Sequence, residues 1–270
     1  MEDGHEIAMV VSQPDRKRGR GSALVPSPVK AAALELGLPV TDRVDDVLGL
    51  GAELGVVVAF GKLIRPHVLA ELPMVNVHFS LLPRWRGAAP VERAILAGDP
   101  QTGVCIMGLE EGLDTGPVYQ CAEVAIDDDV TLDEVRSQLV TIGVEMLVGL
   151  LREGLPADPA PQEGEATYAS KVAPDEHRLD WSRPGAYLSR VVRLGQAWTT
   201  FRGKRLKVLR AIPVLGEGGL APGEIHARTL TVGTGEGGLR LLVVQPEGKA
   251  QQAVADWANG ARLKPGERCT

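Results

Sequence analysis

The stretch from Val75 to Val118 constrains the fold most, because it brings polar side chains to the ends of two predicted strands. The alternation of valine with Asn76 and His78 predicts a strand on which the amide and the imidazole share one face. A loop and a short helix then lead into a second strand, whose closing turn carries Asp114. Polar groups at the carboxyl ends of strands are typical of binding sites in open α/β sheets.

An amide donor, an imidazole and a carboxylate suit one kind of chemistry, which is to hold a tetrahedral oxyanion while a proton moves. Each residue alone has a plainer explanation, since Asn76 and His78 can end a strand and Asp114 can cap a turn. Their coincidence at two neighbouring strand ends favours a catalytic site. Ser80 follows closely, but no GxSxG sequence surrounds it, so we do not expect a serine nucleophile.

Three motifs in this stretch resemble the signature of the folate-dependent formyltransferases: NVH at 76–78, SLLPRWRGAAP at 80–90 and GLDTGP at 112–117. Within that family the resemblance is to the members that act on methionyl-tRNA, and it runs from about His5 to the end of the chain. It implies an α/β fold, in which a Rossmann-like formyltransferase domain with a mostly parallel sheet is followed by a small OB-like β-barrel domain.

The domain boundary is predicted from composition. Residues 154–166 are rich in proline, glycine and glutamate, which is typical of a linker. Short predicted strands separated by glycine turns follow and favour a barrel. We expect a catalytic domain over residues 1–165, a linker over 166–185 and a C-terminal OB-like domain, which by resemblance binds tRNA, over 186–270.

A second glycine pattern in the C-terminal part has the GxGxxG spacing of dinucleotide-binding loops, at Gly233, Gly235 and Gly238. That spacing marks a nucleotide site only where a helix follows it. Here the apolar run LRLLVV follows, which is typical of a strand. We therefore interpret the pattern as a hairpin turn.

By resemblance, the reaction is transfer of a formyl group from 10-formyltetrahydrofolate to the free α-amine of initiator methionyl-tRNA, which gives N-formylmethionyl-tRNA for translation initiation. Asn76 would donate a hydrogen bond to the oxyanion, His78 would supply a second donor and shuttle the proton, and Asp114 would hold the imidazole. An apolar wall from Val57 to Ile64 would receive the pterin. The residues expected to line the folate pocket are Ser80, Leu81, Leu82 and Pro83.

Two basic segments are candidates for contact with tRNA. The first contains Arg16, Lys17, Arg18 and Arg20, and the second contains Lys204, Arg205 and Lys207. Charge runs are usually solvated surface, whereas the resemblance favours binding to tRNA phosphates. The net charge of −6 argues against a basic coat over the whole molecule, so we expect the contact with RNA to be local.

The remaining composition bears on membrane binding, on metal binding and on the cellular compartment. No apolar run is long enough to span a membrane, and the five histidines and three cysteines lack ligand spacing, so we expect neither a membrane nor a metal. Cys105, Cys121 and Cys269 cannot all pair, which favours a reducing cytosol. We expect a cytoplasmic monomer whose partners are tRNA and a folate.

Two alternatives stay open. Formyltransferases that act on an amino sugar nucleotide or on glycinamide ribonucleotide share the Asn, His and Asp core. A tRNA-binding protein with impaired catalysis is the second alternative, and the intact triad argues against it. The basic segments and the predicted C-terminal barrel favour tRNA as the acceptor.

The N-terminus departs from the family pattern. A first strand is predicted at 7–12, and the residues before it resemble the end of a family helix, so we expect the chain to lack the family's first strand–helix unit. Two neighbouring strands would then keep unpaired backbone groups, and a row of apolar side chains would lack cover. We expect such a chain to be unstable and poorly active.

Overall fold

The computed structural model describes residues 4–17, 24–215 and 219–270 of the chain. Its strands in chain order are β1 Val10–Val11, β2 Arg16–Lys17, β3 Leu24–Val25, β4 Val40–Thr41, β5 Gly55–Val58, β6 Met74–His78, β7 Arg86–Gly87, β8 Gln101–Gly108, β9 Val118–Ala125, β10 Tyr168–Ala169, β11 Trp198–Phe201, β12 Lys204–Val214, β13 Thr231–Gly233, β14 Gly238–Pro246 and β15 Gln252–Ala253. Its α-helices are α1 Pro28–Glu35, α2 Pro66–Glu71, α3 Pro90–Ala97, α4 Leu132–Glu153, α5 Gly185–Arg193 and α6 Val254–Ala261.

The chain divides into two compact units. Unit 1 consists of Met1–Ala88, Val104–Ala122 and Ile142–Thr167. Unit 2 consists of Ala89–Gly103, Glu123–Thr141 and Tyr168–Thr270.

The sheet that carries the candidate site has the strand order β5-β6-β8-β9. Strand β5 pairs with β6 in parallel, which sets Val57 opposite Asn76. Strand β6 pairs with β8 in the antiparallel sense, which sets His78 opposite Cys105. A second parallel pair joins β1 to β4. The predicted α/β class with parallel strand pairing is confirmed. Strand β8, which is antiparallel to β6, and its neighbour β9 complete the sheet that carries the candidate site.

The helix signals of the sequence are confirmed where side-chain caps specify them. Ser27 caps α1, because its hydroxyl oxygen accepts the N–H of Lys30 at 3.0 Å. Helix α3 begins at a proline and ends before Gly98, whose φ of 77° is the left-handed conformation common at helix ends. Before α4, the sequence TLDE at 131–134 predicts a capping box, and the N–H of Thr131 donates to the Glu134 carboxylate at 2.7 Å as that motif requires.

Local predictions in the N-terminal segment were wrong in two places. The sequence predicts a helix over 44–54, whereas the structure has only a short 3₁₀ helix, Val44–Val47, because Gly49 and Gly51 follow it with φ of 72° and 70° and stop helix propagation. The glycine-rich first basic segment predicts a loop, whereas the structure has the short strand β2 there, which pairs with β3. Arg18 and Arg20 lie outside the described residues.

The continuous apolar run at 56–60 predicts a strand that is covered on both faces, and for β5 this prediction was wrong. Val57 packs against the buried cluster that includes Ile64 and Met74, whereas Val56 and Val58 on the opposite face are 45% and 50% exposed. The apolar run does not reveal this exposure, since among the described strands β5 pairs only with β6 and its second edge has no partner.

Unit 2 is built on an antiparallel sheet with the order β11-β12-β14-β13, and β15 pairs with β14. Buried side chains of α5, among them Leu188 and Val191, contribute to its core. Trp257 of α6 meets the ring of Phe201 edge-on, with 5.1 Å between ring centroids. The curled antiparallel sheet confirms the predicted C-terminal fold.

Two features of unit 2 differ in detail from the sequence prediction. The sequence predicts a short strand near Glu224, but the structure has only isolated bridges there, in which Glu224 pairs with Arg268 and Ile225 pairs with Val232. Helix α6 was not predicted. The GxGxxG segment connects β13 to β14, which confirms the hairpin interpretation.

The three cysteines divide into a pair and a single thiol. Cys105 on β8 forms a disulfide with Cys121 on β9, with the two Cα atoms 4.2 Å apart. That spacing is typical of directly opposed residues that do not exchange backbone hydrogen bonds. Cys269 is free and buried, and burial raises the pKa of its thiol to about 12.

We expect the unfolded, non-reduced protein to react with one equivalent of a thiol reagent and the reduced protein with three, because the described chain holds one disulfide and one free thiol. Mass spectrometry of alkylated peptides under both conditions checks this and identifies the pair. The Cys269→Ser variant is the control, since it should show no reactive thiol before reduction. Three reactive thiols in the freshly isolated, unfolded protein would contradict the pairing.

Candidate active site

The candidate site starts at the carboxyl end of β6. Asn76 and His78 alternate with valines on this strand, and they therefore face the same side of the sheet. His78 is buried, with 5% of its surface exposed, and Asn76 is half-buried. No side-chain hydrogen bond joins the Asn76 amide to another described residue, so the amide keeps its donors for a ligand.

Asp114 lies in the turn between β8 and β9, with a left-handed φ of 51°. Its Oδ2 accepts the backbone N–H of Gly87 at 2.7 Å. The same oxygen lies 3.7 Å from Nδ1 of His78, with both side chains shielded from solvent. The structure therefore brings the predicted carboxylate to the predicted imidazole, although they are far apart in the sequence.

The other ring nitrogen of His78 contacts the backbone. Nε2 lies 3.0 Å from the carbonyl oxygen of Trp85, an atom that can only accept. Nε2 is therefore assigned as the protonated nitrogen of the ring. The sequence carries no signal for this partner, because any residue at position 85 offers a backbone carbonyl.

The turn that holds Asp114 depends on a close backbone approach. A Cβ at Gly116 would lie 2.0 Å from the carbonyl oxygen of Gly108, which is backbone and cannot swing away. At Gly112 a Cβ would meet only the side chain of Thr115. Glycine at 116 is thus required by packing, and it lets the turn fold tightly beside the sheet.

The loop after β6 carries the residues predicted to meet folate. Ser80 is fully buried, and its hydroxyl donates to the carbonyl of Arg84 at 2.6 Å. The hydroxyl thus shapes the loop, and the side chain is not an exposed lining group. The Trp85 N–H donates to the hydroxyl of Thr167 at 2.9 Å and fixes the far end of the loop. The half-buried residues of the loop that remain as candidate pocket lining are Leu81, Leu82 and Pro83.

Gln162 is a site residue that the sequence analysis missed. Its amide nitrogen donates to the carbonyl oxygens of Asp114 and Gly116, both at 2.8 Å. Its amide oxygen accepts from Arg86, at 3.0 Å from Nε and 2.6 Å from Nη2. The only sequence signal is a lone amide side chain within a proline- and glycine-rich stretch.

The candidate tRNA residues lie on both units. Arg16 and Lys17 are exposed on β2 of unit 1, and the prediction for Arg18 and Arg20 concerns residues outside the described part of the chain. On β12 of unit 2, buried Leu206 and Val208 alternate with outward basic positions. The exposed basic residues of that strand are Lys204, Arg205, Lys207 and Arg210, and the first three are the predicted candidates. Their contact with tRNA stays a prediction.

The part of the chain that the structure describes contains neither a metal site nor a membrane-spanning helix. No group of three or more histidine, cysteine, aspartate or glutamate side chains there could hold a metal ion. None of the helices in that part is both long and apolar enough to cross a bilayer.

Models of known protein families match both the N-terminal and the C-terminal part of the chain. The family model described as formyl transferase matches residues 1–151, and the model described as formyl transferase, C-terminal domain, matches residues 171–262. A methionyl-tRNA formyltransferase from Methylobacterium sp. (strain 4-46) is 42% identical over 98% of this chain and 92% of its own length.

Solved structures share the fold at low sequence identity. WlaRD, a sugar 3N-formyl transferase solved in the presence of dTDP and 5-N-formyl-THF, has a TM-score of 0.65 at 16% identity and covers 92% of this chain and 100% of its own. HypX from Aquifex aeolicus in complex with tetrahydrofolic acid has a TM-score of 0.61 at 17% identity and covers 86% of this chain and 44% of its own. These similarities concern the fold alone.

Proposed function

The chain belongs to the formyl transferase family, and on this premise we propose that it transfers the formyl group of 10-formyltetrahydrofolate to the α-amine of initiator methionyl-tRNA. The observation that carries the proposal is the cluster of Asn76, His78 and Asp114 at one strand end. The near full-length similarity to methionyl-tRNA formyltransferases supports this acceptor.

The chemistry that this cluster has to serve is an acyl transfer to an amine. The amine nitrogen bonds to the formyl carbon, the bond from that carbon to the folate nitrogen breaks, and one proton passes from the amine to that nitrogen. We propose that the Asn76 amide donates to the formyl oxygen as it becomes negatively charged. The free donors of Asn76 and its half-buried position suit this role.

His78 is proposed to carry the proton between the two nitrogens. Both of its ring nitrogens already face protein acceptors, the Trp85 carbonyl at 3.0 Å and the Asp114 carboxylate at 3.7 Å. One of these contacts therefore has to open when the ring acts on substrate. Asp114 orients the ring and stabilises the positive charge that develops on it, and the Gly87 N–H keeps the carboxylate in place.

The proposed folate site lies beside this cluster, in the loop that carries Leu81, Leu82 and Pro83. The apolar segment from Val57 to Ile64 fits a flat pterin ring, because it includes apolar side chains that are not used in the core. Val58 is 50% exposed and Leu63 is 79% exposed. Since the formyl donor is consumed, folate is a second substrate, and we propose no metal.

We propose that residues 1–165 form the catalytic domain, 166–185 the linker and 186–270 the tRNA-binding domain of a cytoplasmic monomer. An amino sugar nucleotide is the second candidate acceptor, since a sugar 3N-formyl transferase shares the fold. The exposed basic residues of β2 and β12 favour tRNA over that alternative.

The direct test is incubation of the purified chain with 10-formyltetrahydrofolate and initiator methionyl-tRNA, followed by release and mass analysis of the amino acid. We expect N-formylmethionine to form. Methionyl-tRNA that stays unformylated in the presence of a folded, cooperatively melting chain would contradict the proposal.

We expect replacement of exposed lysines on β12 to weaken tRNA binding in a salt-dependent way. The double variant Lys204→Gln/Lys207→Gln should lower the slope of log affinity against log salt by about one unit for each lost phosphate contact. Binding titrations at several salt concentrations measure this slope. Lys249→Gln, which removes an exposed lysine outside both basic segments, is the matched control. An unchanged slope in the double variant would assign β12 to ordinary solvated surface.

A further inference from the structure

Gln162 connects two segments that meet at Asp114. The segment 114–116 is held through two backbone carbonyls, each of which accepts from the amide nitrogen of Gln162 at 2.8 Å. The segment 86–87 is held through the Arg86 guanidinium, which donates twice to the amide oxygen of Gln162. Every polar atom of the Gln162 side chain is thus used within unit 1.

The same two segments also meet through the carboxylate of Asp114. That carboxylate accepts the Gly87 N–H at 2.7 Å, and Gly87 directly follows Arg86. These contacts form a cyclic network. The Asp114 side chain binds strand β7, Arg86 of β7 binds Gln162, and Gln162 binds the backbone of Asp114. Nδ1 of His78 lies 3.7 Å from the Asp114 carboxylate oxygen in this network.

The backbone of the turn needs such support. Asp114 has a φ of 51°, a conformation that residues with a side chain adopt at a cost. The carbonyl oxygens of Asp114 and Gly116 both accept from the amide nitrogen of Gln162, so one side chain satisfies two neighbouring acceptors. Loss of this donor lets the turn rotate, and the carboxylate then moves relative to the imidazole.

We propose that Gln162 is a positioning residue that acts through Asp114, by fixing the carboxylate at the distance and angle from which it holds His78. The kinetic consequences of this inference rest on the proposed function, whereas the hydrogen bonds from which it is argued do not. The four hydrogen bonds of the Gln162 side chain all go to protein groups. Gln162 acts by keeping the Asp114 turn and strand β7 in one arrangement.

Two variants separate the donor function of Gln162 from its size. Gln162→Ala removes all four hydrogen bonds. Gln162→Glu keeps the shape and the acceptor for Arg86, but it turns an oxygen toward the carbonyls of Asp114 and Gly116, and those contacts become repulsive. Gln120→Ala is the matched control, because Gln120 is exposed on β9. Cooperative melting of each variant establishes that it is folded before any comparison.

The first measurement is the nitrogen-15 NMR signature of the His78 ring in the full chain, assigned with the His78→Ala variant. We expect both Gln162 variants to shift the ring resonances of His78, and we expect Gln120→Ala to leave them in place. This readout is independent of turnover. Unshifted His78 resonances in folded Gln162→Ala would overturn the inference, even if the proposed function holds.

The second measurement is formyl transfer in a double-mutant cycle with Asp114→Asn. In the native background, we expect Gln162→Ala to lower kcat about tenfold while KM for both substrates stays within about twofold, because a displaced catalytic group slows the chemical step. In the Asp114→Asn background, the same change should have little further effect. Full additivity would contradict action through Asp114. A native chain without activity would instead contradict the proposed function, and the NMR result would still decide the inference.

Discussion

Replacing His78 by alanine is expected to lower kcat for formylation of methionyl-tRNA by about 10³-fold, with little change in the affinity for folate or tRNA. General acid–base groups contribute roughly 10²–10⁴-fold to catalysis, and this ring is the one imidazole that lies beside Asp114 among the described residues. Its interactions strengthen in the transition state, so kcat and kcat/KM should fall together. Steady-state kinetics with each substrate varied in turn measure both quantities.

The control for this variant is His67→Ala. His67 also lies in unit 1, but it is exposed on α2, outside the segments proposed to bind substrate, and pairs with Asp45 at 2.9 Å. Its replacement should leave kcat within about twofold, since surface changes of this kind have small effects. A folded His78→Ala protein with native turnover would remove His78 from the mechanism.

Replacing Asn76 by aspartate is expected to lower kcat by at least about 10²-fold, which is the usual loss when one oxyanion donor is removed. Aspartate has nearly the shape of asparagine, so packing on β6 is conserved. It has no amide donor, and its negative charge would repel the oxygen on which charge develops. Asn76→Ala should lose less than Asn76→Asp, because alanine removes the donor without adding the repulsion.

The control for Asn76→Asp is Asn259→Asp. Asn259 is the other asparagine of the chain, and it is exposed on α6. That variant should keep native kcat, and chemical shift mapping should show that the change stays local. Equal kcat for Asn76→Asp and the native protein would show that the amide does not serve as the oxyanion donor. The site would then have to supply its donor from the backbone.

The parts of the fold that the sequence predicts are those with local causes. Ser27 and the pair Thr131 and Glu134 specify helix starts through hydrogen bonds within three residues of each other, and the structure contains both caps. The period of two in β6 likewise sets Asn76 and His78 on one face. These features depend on neighbours in the chain, so a sequence pattern is enough to identify them.

The parts that the sequence could not predict depend on distant partners. Gln162 meets Asp114 across 48 residues, and its partners there and at Gly116 are backbone carbonyls, which every residue carries. The Trp85 carbonyl beside His78 has no sequence signal for the same reason. The exposure of Val56 and Val58 was missed because an apolar run records the strand but not what covers it.

A single-turnover competition between acceptor amines distinguishes methionyl-tRNA from the two alternative acceptors. The purified chain, in excess, is mixed with 10-formyltetrahydrofolate that carries an isotopic label in the formyl group. Initiator methionyl-tRNA, an amino sugar nucleotide and glycinamide ribonucleotide are offered together at equal concentration, and mass spectrometry locates the label. We expect the label to appear on the α-amine of the methionine attached to tRNA. Label on the sugar amine or on glycinamide ribonucleotide, with none on methionyl-tRNA, would contradict it.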